Sequence, residues 1–209
     1  MKLASGGFAD GGAIPARLAF CAPDAKTHAT LSENRNPQIA WSGAPSGTKS
    51  FALICHDPDV PSRGDDVNQE GRTIPASLPR VDFFHWVLVD LPASTSAIAE
   101  GEFSSGVSER GKPGPAAPHG SRQGVNDYTG WFASDKDMAG SYFGYDGPCP
   151  PWNDAIAHRY VFTVFALDIA RLALEGAFTG ADARQAMQGH VLAQAALTGR
   201  YSLNPNVKV

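Results

Sequence analysis

Three stretches of the chain are apolar and short enough to be buried strands. Ser50–Asp57 (SFALICHD) is a compact apolar run closed by Pro58, and Phe83–Leu91 (FFHWVLVDL) is a second, stopped by Pro92. His158–Asp168 (HRYVFTVFALD) is nearly all apolar and rich in β-branched and aromatic residues. Ala16–Cys21 and Gln38–Trp41 are shorter apolar pieces, and Tyr201–Leu203 fits a last edge strand. Pro23–Pro37 and Val60–Val81 are polar and read as loops, with a Gly/Pro turn at Ser42–Thr48. Ala99–Pro151 has no sustained apolar period, and a segment this long without one is either a functional loop or a variable surface insertion. One helix is predicted. Thr179 and Asp182 fit a capping box, Ala183, Met187, Val191 and Ala195 recur at i+4, and Gly199 supplies the stop. Strands with long connections and no strand–helix alternation predict an all-β-dominated fold, a Greek-key β-sandwich with a late α-helix.

Composition narrows the function. The 209 residues suit a single domain, residues 1–209, large enough to bury a core. Hydrophobic residues are 43% and charged residues 18%, which excludes a mainly disordered or coiled-coil chain. The net charge of -4 and the absence of a Lys/Arg cluster argue against nucleic acid and against strong attraction to anionic membranes. No apolar run approaches a membrane span, and Met1–Pro15 lacks the apolar centre of a secretory signal. Cys21, Cys55 and Cys149 are odd in number and far apart, so no disulfide framework is predicted; Cys55 reads as a buried thiol and the cytoplasm as the compartment.

Polar residues on the apolar stripes carry the chemistry. Alternation puts His158, Tyr160, Phe162 and Val164 on one face, Phe83, His85, Val87 and Val89 on another, and Phe51, Leu53, Cys55 and Asp57 on a third. A lone His on such a stripe is usually a satisfied core residue, and Asp57-Pro58-Asp59 alone is usually a turn. Together, two His and two Asp at strand ends need partners, because a buried charge needs one. If the strands are antiparallel neighbours, Asp57 and His158 can meet. Such a group can hold a metal, work as acid and base, or donate to a small anion while carboxylates orient the imidazoles. No HxH or HExxH spacing occurs, so neither metal nor cofactor is expected. Asp135, Asp137, Gly140 and Asp146 match positions of a calcium loop, but Ala139 breaks it and no flanking helices are predicted. Trp131 and Phe132 in the long loop fit a hydrophobic anchor better than a ligand lid.

Four motifs in order, Asp57-Pro58-Asp59-Val60-Pro61-Ser62, His85-Trp86, Gly144-Tyr145-Asp146-Gly147-Pro148-Cys149-Pro150-Pro151 and His158-Arg159-Tyr160, resemble the phosphatidylethanolamine-binding protein family, also called Raf kinase inhibitor proteins, and its bacterial branch most. The resemblance covers about residues 14–205 and implies a large sheet packed on a smaller one. It implies a small pocket for phosphate, carboxylate or a phospholipid headgroup, lined by Asp57, Asp59, His85, Gly147, Pro148, His158 and Tyr160. A non-enzymatic binding protein is the first expectation, with His85 and His158 donating and Gly147 allowing close backbone approach. Acid–base or metal-assisted hydrolysis in the same pocket is the alternative, as is a protein-interaction regulator such as a kinase or protease inhibitor. A homodimer is a further possibility from the bacterial branch. Two features depart from the family. The 99–142 loop is long, and the chain ends soon after Asn204-Pro205-Asn206, where eukaryotic members place a helix against the pocket.

Overall fold

The computed structural model describes residues 1–209. Its strands are β1 (Lys2–Ser5), β2 (Cys21–Asp24), β3 (His28–Leu31), β4 (Ile39–Ser42), β5 (Ser50–Pro61), β6 (Arg80–Pro92), β7 (Ala97–Ile98), β8 (Gly111–Lys112), β9 (Arg122–Gln123), β10 (Ser141–Tyr142), β11 (His158–Leu167) and β12 (Val191–Tyr201). Two short helices are α1 (Tyr128–Trp131) and α2 (Gly180–Ala186). The three predicted core strands are neighbours in one antiparallel sheet of order β12-β11-β5-β6-β9. A smaller sheet, β1-β4-β7, packs on one face of it, and Ile39, Trp41 and Ile98 there share a core with Leu53, Trp86 and Phe162 of the large sheet. On the opposite face Ile54, Val87 and Val89 pack under Leu172, Phe178, Ala183 and Met187, so α2 and the chain before it form an outer layer. This is the expected sandwich of a large on a smaller sheet.

Several elements differ from the sequence pattern. The capping box is present, with Thr179 and Asp182 bonded reciprocally, but the helix ends at Ala186 and Gly189 turns the chain with φ of 81°. Val191–Tyr201 is a strand, not the second half of a helix. Val191, Leu192, Ala193, Ala195 and Leu197 satisfy helical and alternating patterns alike, and β11 supplies a full-length ladder partner that an isolated helix end lacks. Leu203 is buried beyond β12 without joining a strand. Pro23–Pro37, expected as loop, contains the β2–β3 hairpin. The loop expected at Val60–Val81 shrinks to residues 62–79, because β5 and β6 pair as far as Pro61 and Arg80.

The long insertion is also structured. It holds β8, β9, β10 and α1, and buries Gln123, Asn126 and Tyr128. The one cis peptide bond is Gly114–Pro115, so Asp57–Pro58 is trans. Cys21 and Cys149 form a disulfide across 128 residues, contrary to the expectation of no pairing; sequence distance did not reveal that β2 runs beside the Gly147–Pro151 segment, where the backbone N–H groups of Phe20 and Cys21 donate to the Pro148 carbonyl. The pairing removes the cysteine argument for the cytoplasm. Cys55 is buried and free, as expected. No helix is long and apolar enough to cross a membrane.

Candidate functional site

Two irregularities in the β5–β6 ladder build the site. Asp57 pairs with Phe83 and Val60 with Val81, so β5 carries an extra residue at Asp57-Pro58-Asp59. The Asp57 Oδ1 accepts the Asp59 backbone N–H at 2.7 Å, a turn that Pro58 favours. On β6, Cys55 pairs with Trp86 and His56 with Phe84, leaving His85 unpaired in the ladder. The bulge corrects the expected alternation. Phe83 and His85 face the same side as Trp86 and Leu88, while Val87 and Val89 belong to the opposite core.

β11 runs antiparallel to β5, so its first residue, His158, lies beside the end of β5. Its imidazole is fully buried between two carboxylates. Nδ1–H donates to Asp57 Oδ2 at 2.6 Å and Nε2–H to Asp154 Oδ2 at 3.1 Å. Burial alone would depress the imidazolium, but the hydrogen bonds to Asp154 and Asp57 outweigh it and push His158 up to about 9. Asp154 is in turn gripped by both guanidinium arms of Arg80, at 2.5 and 3.1 Å. Burial opposes ionisation of Asp154, yet His158 and Arg80 hold its carboxyl below the usual range. With both nitrogens engaged, His158 has no N–H left for a ligand. Its role as donor is corrected to one of holding Asp57 in place.

Asp59 points elsewhere. Its carboxylate accepts from the Arg159 Nε at 2.8 Å, Nη2 at 2.7 Å and backbone N–H at 2.9 Å. Burial raises its carboxyl, and the Arg159 contacts more than reverse that. Asp57, Asp59 and Asp154 are thus balanced by His158, Arg159 and Arg80, and no cation of this network is free.

His85 is the other buried imidazole. Its Nδ1–H donates to the Asp146 carbonyl at 2.7 Å, and the Asp146 N–H donates back to the His85 carbonyl at 3.0 Å. Burial pulls the imidazolium down more than the nearby Asp57 and the Asp146 bond raise it, so His85 is neutral at pH 7. The Nε2 lone pair has no protein partner. Tyr160, whose ring meets His85 edge to face at 5.0 Å, likewise has an unpartnered hydroxyl. Burial and then the Asp57 charge keep that phenol protonated.

Asp57, His85, His158 and Tyr160 form the floor of a cavity of about 370 Å³. Asp59, Gly147 and Pro148 are not among its lining residues. The Gly147 N–H donates to Asn34 Oδ1 at 2.8 Å, and a Cβ at this position would collide with the Leu18 carbonyl, so the glycine serves a close approach of chain to chain. The Pro148 carbonyl accepts from Phe20 and Cys21 as described. Asp146, below the floor, bonds Lys112, Asn34 and Asn126 at 2.9, 2.7 and 2.7 Å, so it belongs to a buried network and not to a calcium loop. Asp135 caps its own turn through the Asp137 and Met138 N–H groups.

Sequence reasoning missed Arg80, Asp154 and the walls of the cavity. Asp154 stands four residues before His158, a spacing that carries no meaning outside a helix. Tyr128, Phe132 and Met138 come from the long insertion, whose aperiodic sequence hides that Phe20, Tyr128 and Phe132 stack at 4.7 and 5.4 Å.

The site is thus a cavity at the end of three core strands in a β fold of one large sheet packed on a smaller one. The sequence profile described as Phosphatidylethanolamine-binding protein matches residues 4–202, and the chain belongs to that family. It is 33% identical over 202 residues to the UPF0098 protein YbhB of Escherichia coli, covering 97% of this chain and all of the relative. It is 33% identical over 201 residues to a UPF0098 protein of Methanothermobacter thermautotrophicus, covering 96% and 98%. Its fold is similar to that of Escherichia coli YbcL, described as a new member of the mammalian PEBP family, with a TM-score of 0.67 at 24% identity over 96% of this chain and 97% of the other. A PEBP homologue from Chlamydia trachomatis gives a TM-score of 0.64 at 28% identity, covering 96% of each chain.

Proposed function

We propose that the chain is a binding protein, not an enzyme, and that its pocket floor holds one small oxyanion, the phosphate of an ester or a carboxylate. The observation that carries this reading is the pair of unpartnered polar groups, His85 Nε2 and the Tyr160 hydroxyl, on the floor of the cavity beside Asp57. Tyr160 donates to the anion. The Asp57 carboxylate would repel a fully ionised ligand, so the ligand arrives with a proton, as a monoprotonated phosphate or carboxylic acid does, or His85 takes one up and donates it from Nε2. The name of the family, phosphatidylethanolamine-binding protein, describes a phosphate ester and is compatible with this floor. The same reading uses His158, Asp154 and Arg80 as a fixed brace that keeps Asp57 oriented.

Titration of inorganic phosphate followed by the histidine ring signals in NMR tests the reading. A saturable shift of His85, with a small response of the twice-bonded His158, is expected. An unmoved His85 at saturating phosphate would overturn it.

A further inference from the structure

The cavity is far larger than its floor needs. A phosphate or carboxylate covers the four polar residues at the base, whereas about 370 Å³ lies within the roughly 300–1,000 Å³ range of whole small-molecule sites. Above the floor the wall offers one amide, Asn68, and no charged side chain; the two cysteines there are tied in the disulfide. The rest is apolar, with Phe132 and Met138 at one side and Leu31 and Trp131 at the rim. Leu31 is 60% and Trp131 55% exposed, unusual for side chains of this size. Met138 supplies a soft, adaptable surface and the aromatic rings a flat one.

Resting on the oxyanion floor proposed above, we infer that the ligand is an amphiphile with a single acidic head and an uncharged apolar body, aryl or short alkyl, that fills the space between Phe132, Met138, Leu31 and Trp131. The pocket therefore selects against a second charge close to the head. An ammonium group two carbons from the phosphate would lie against this apolar wall and lose hydration there, and the one carboxylate in the cavity, Asp57, already accepts from His158 and the Asp59 N–H. A phenyl group in the same place gains by burial.

Calorimetric titration of the intact, oxidised protein with phenyl phosphate, phosphoethanolamine and inorganic phosphate at one pH and ionic strength tests the inference. Phenyl phosphate is expected to bind at least tenfold more tightly than phosphoethanolamine, about 1.4 kcal/mol. The exposed-residue variant Leu31→Ser/Trp131→Ser should erase that preference and leave inorganic phosphate unchanged. Equal or weaker binding of phenyl phosphate, with inorganic phosphate still bound, overturns the apolar body and leaves the oxyanion floor standing. A preference that survives in the double variant removes Leu31 and Trp131 as its source and overturns the placement. Failure of all three ligands overturns the floor and the inference together.

Discussion

Asp57 and His158 are 101 residues apart in sequence and 2.6 Å apart in space, both buried. Their contact closes a line from Arg80 through Asp154 and His158 to Asp57. Charges alternate in sign along that line, so each ion is compensated on the side it faces. A line of this kind fixes geometry well and is costly to interrupt.

Interrupting it at the middle has a defined result. His158→Ala would leave Asp57 and Asp154 buried and facing each other without the cation between them. Loss of about 3–5 kcal/mol of stability is expected, the range for stripping one partner from a buried pair. Urea denaturation checks it. Oxyanion binding should weaken in the fraction that folds, because Asp57 loses its orientation.

The same imidazole sets the alkaline side of the stability profile. The folded pKa of His158, about 9, lies above its ordinary value of 6.5, so the folded state holds the extra proton. The stabilisation is fully present below about pH 6.5 and is lost as pH rises through about 9, with a total on the order of 3 kcal/mol. Thermal melting from pH 6 to 9.5 should show a falling midpoint that His158→Asn abolishes. A flat wild-type profile would show that the imidazole is not held charged.

His85 works in the opposite sense, and through the ligand. Its pKa is depressed in the free protein by burial, and an anion at Nε2 would raise it. Binding then takes up a proton, so affinity should increase as pH falls from 8 to 6. Calorimetry in two buffers of different ionisation enthalpy reads that proton directly. His85→Gln should reduce the pH dependence to that of the phosphate's own second ionisation and weaken phosphate binding by roughly tenfold, the loss of a single charge-assisted hydrogen bond. Proton uptake that is undiminished in this variant would move the titrating group elsewhere.

Much of this arrangement was legible in the sequence, for physical reasons that differ by residue. The three core strands were visible because buried strands of a two-sided sheet are nearly continuous apolar runs, and Asp57 and His158 stood out as charges at their ends. Antiparallel pairing of β5 with β11 then brought them together. His85 was found for a reason the alternation rule misstates: only the bulge at Cys55/His56 turns it, Phe83 and Trp86 to one side. Bulges leave no mark in periodicity. The helix drawn through Val191 failed because small and aliphatic residues there fit both periods, and tertiary pairing chose between them. Gly147 and Pro148 lie in the right segment but serve its docking on Leu18 and Phe20. The cavity walls were hidden, since the insertion contributes Tyr128, Phe132 and Met138 through tertiary contacts that its sequence does not encode locally.

The disulfide gives a last prediction, because it joins the β2–β3 hairpin to the segment carrying Pro150 and Pro151, and both cysteines line the cavity. It closes a loop of 128 residues in the unfolded chain, so its reduction should cost about 2–5 kcal/mol of stability in the chain-entropy account of long loops. The local backbone has other ties. The Phe20 and Cys21 N–H groups reach the Pro148 carbonyl, and the Tyr201 hydroxyl donates to the Cys21 carbonyl at 2.8 Å. These hold the segment in place without the sulfur bond. Cys21→Ser/Cys149→Ser should therefore fold, melt lower than the oxidised wild type, and keep the His85 ring signal and its phosphate response. Loss of the phosphate response in a folded double variant would show that the disulfide shapes the floor and does not merely brace the wall.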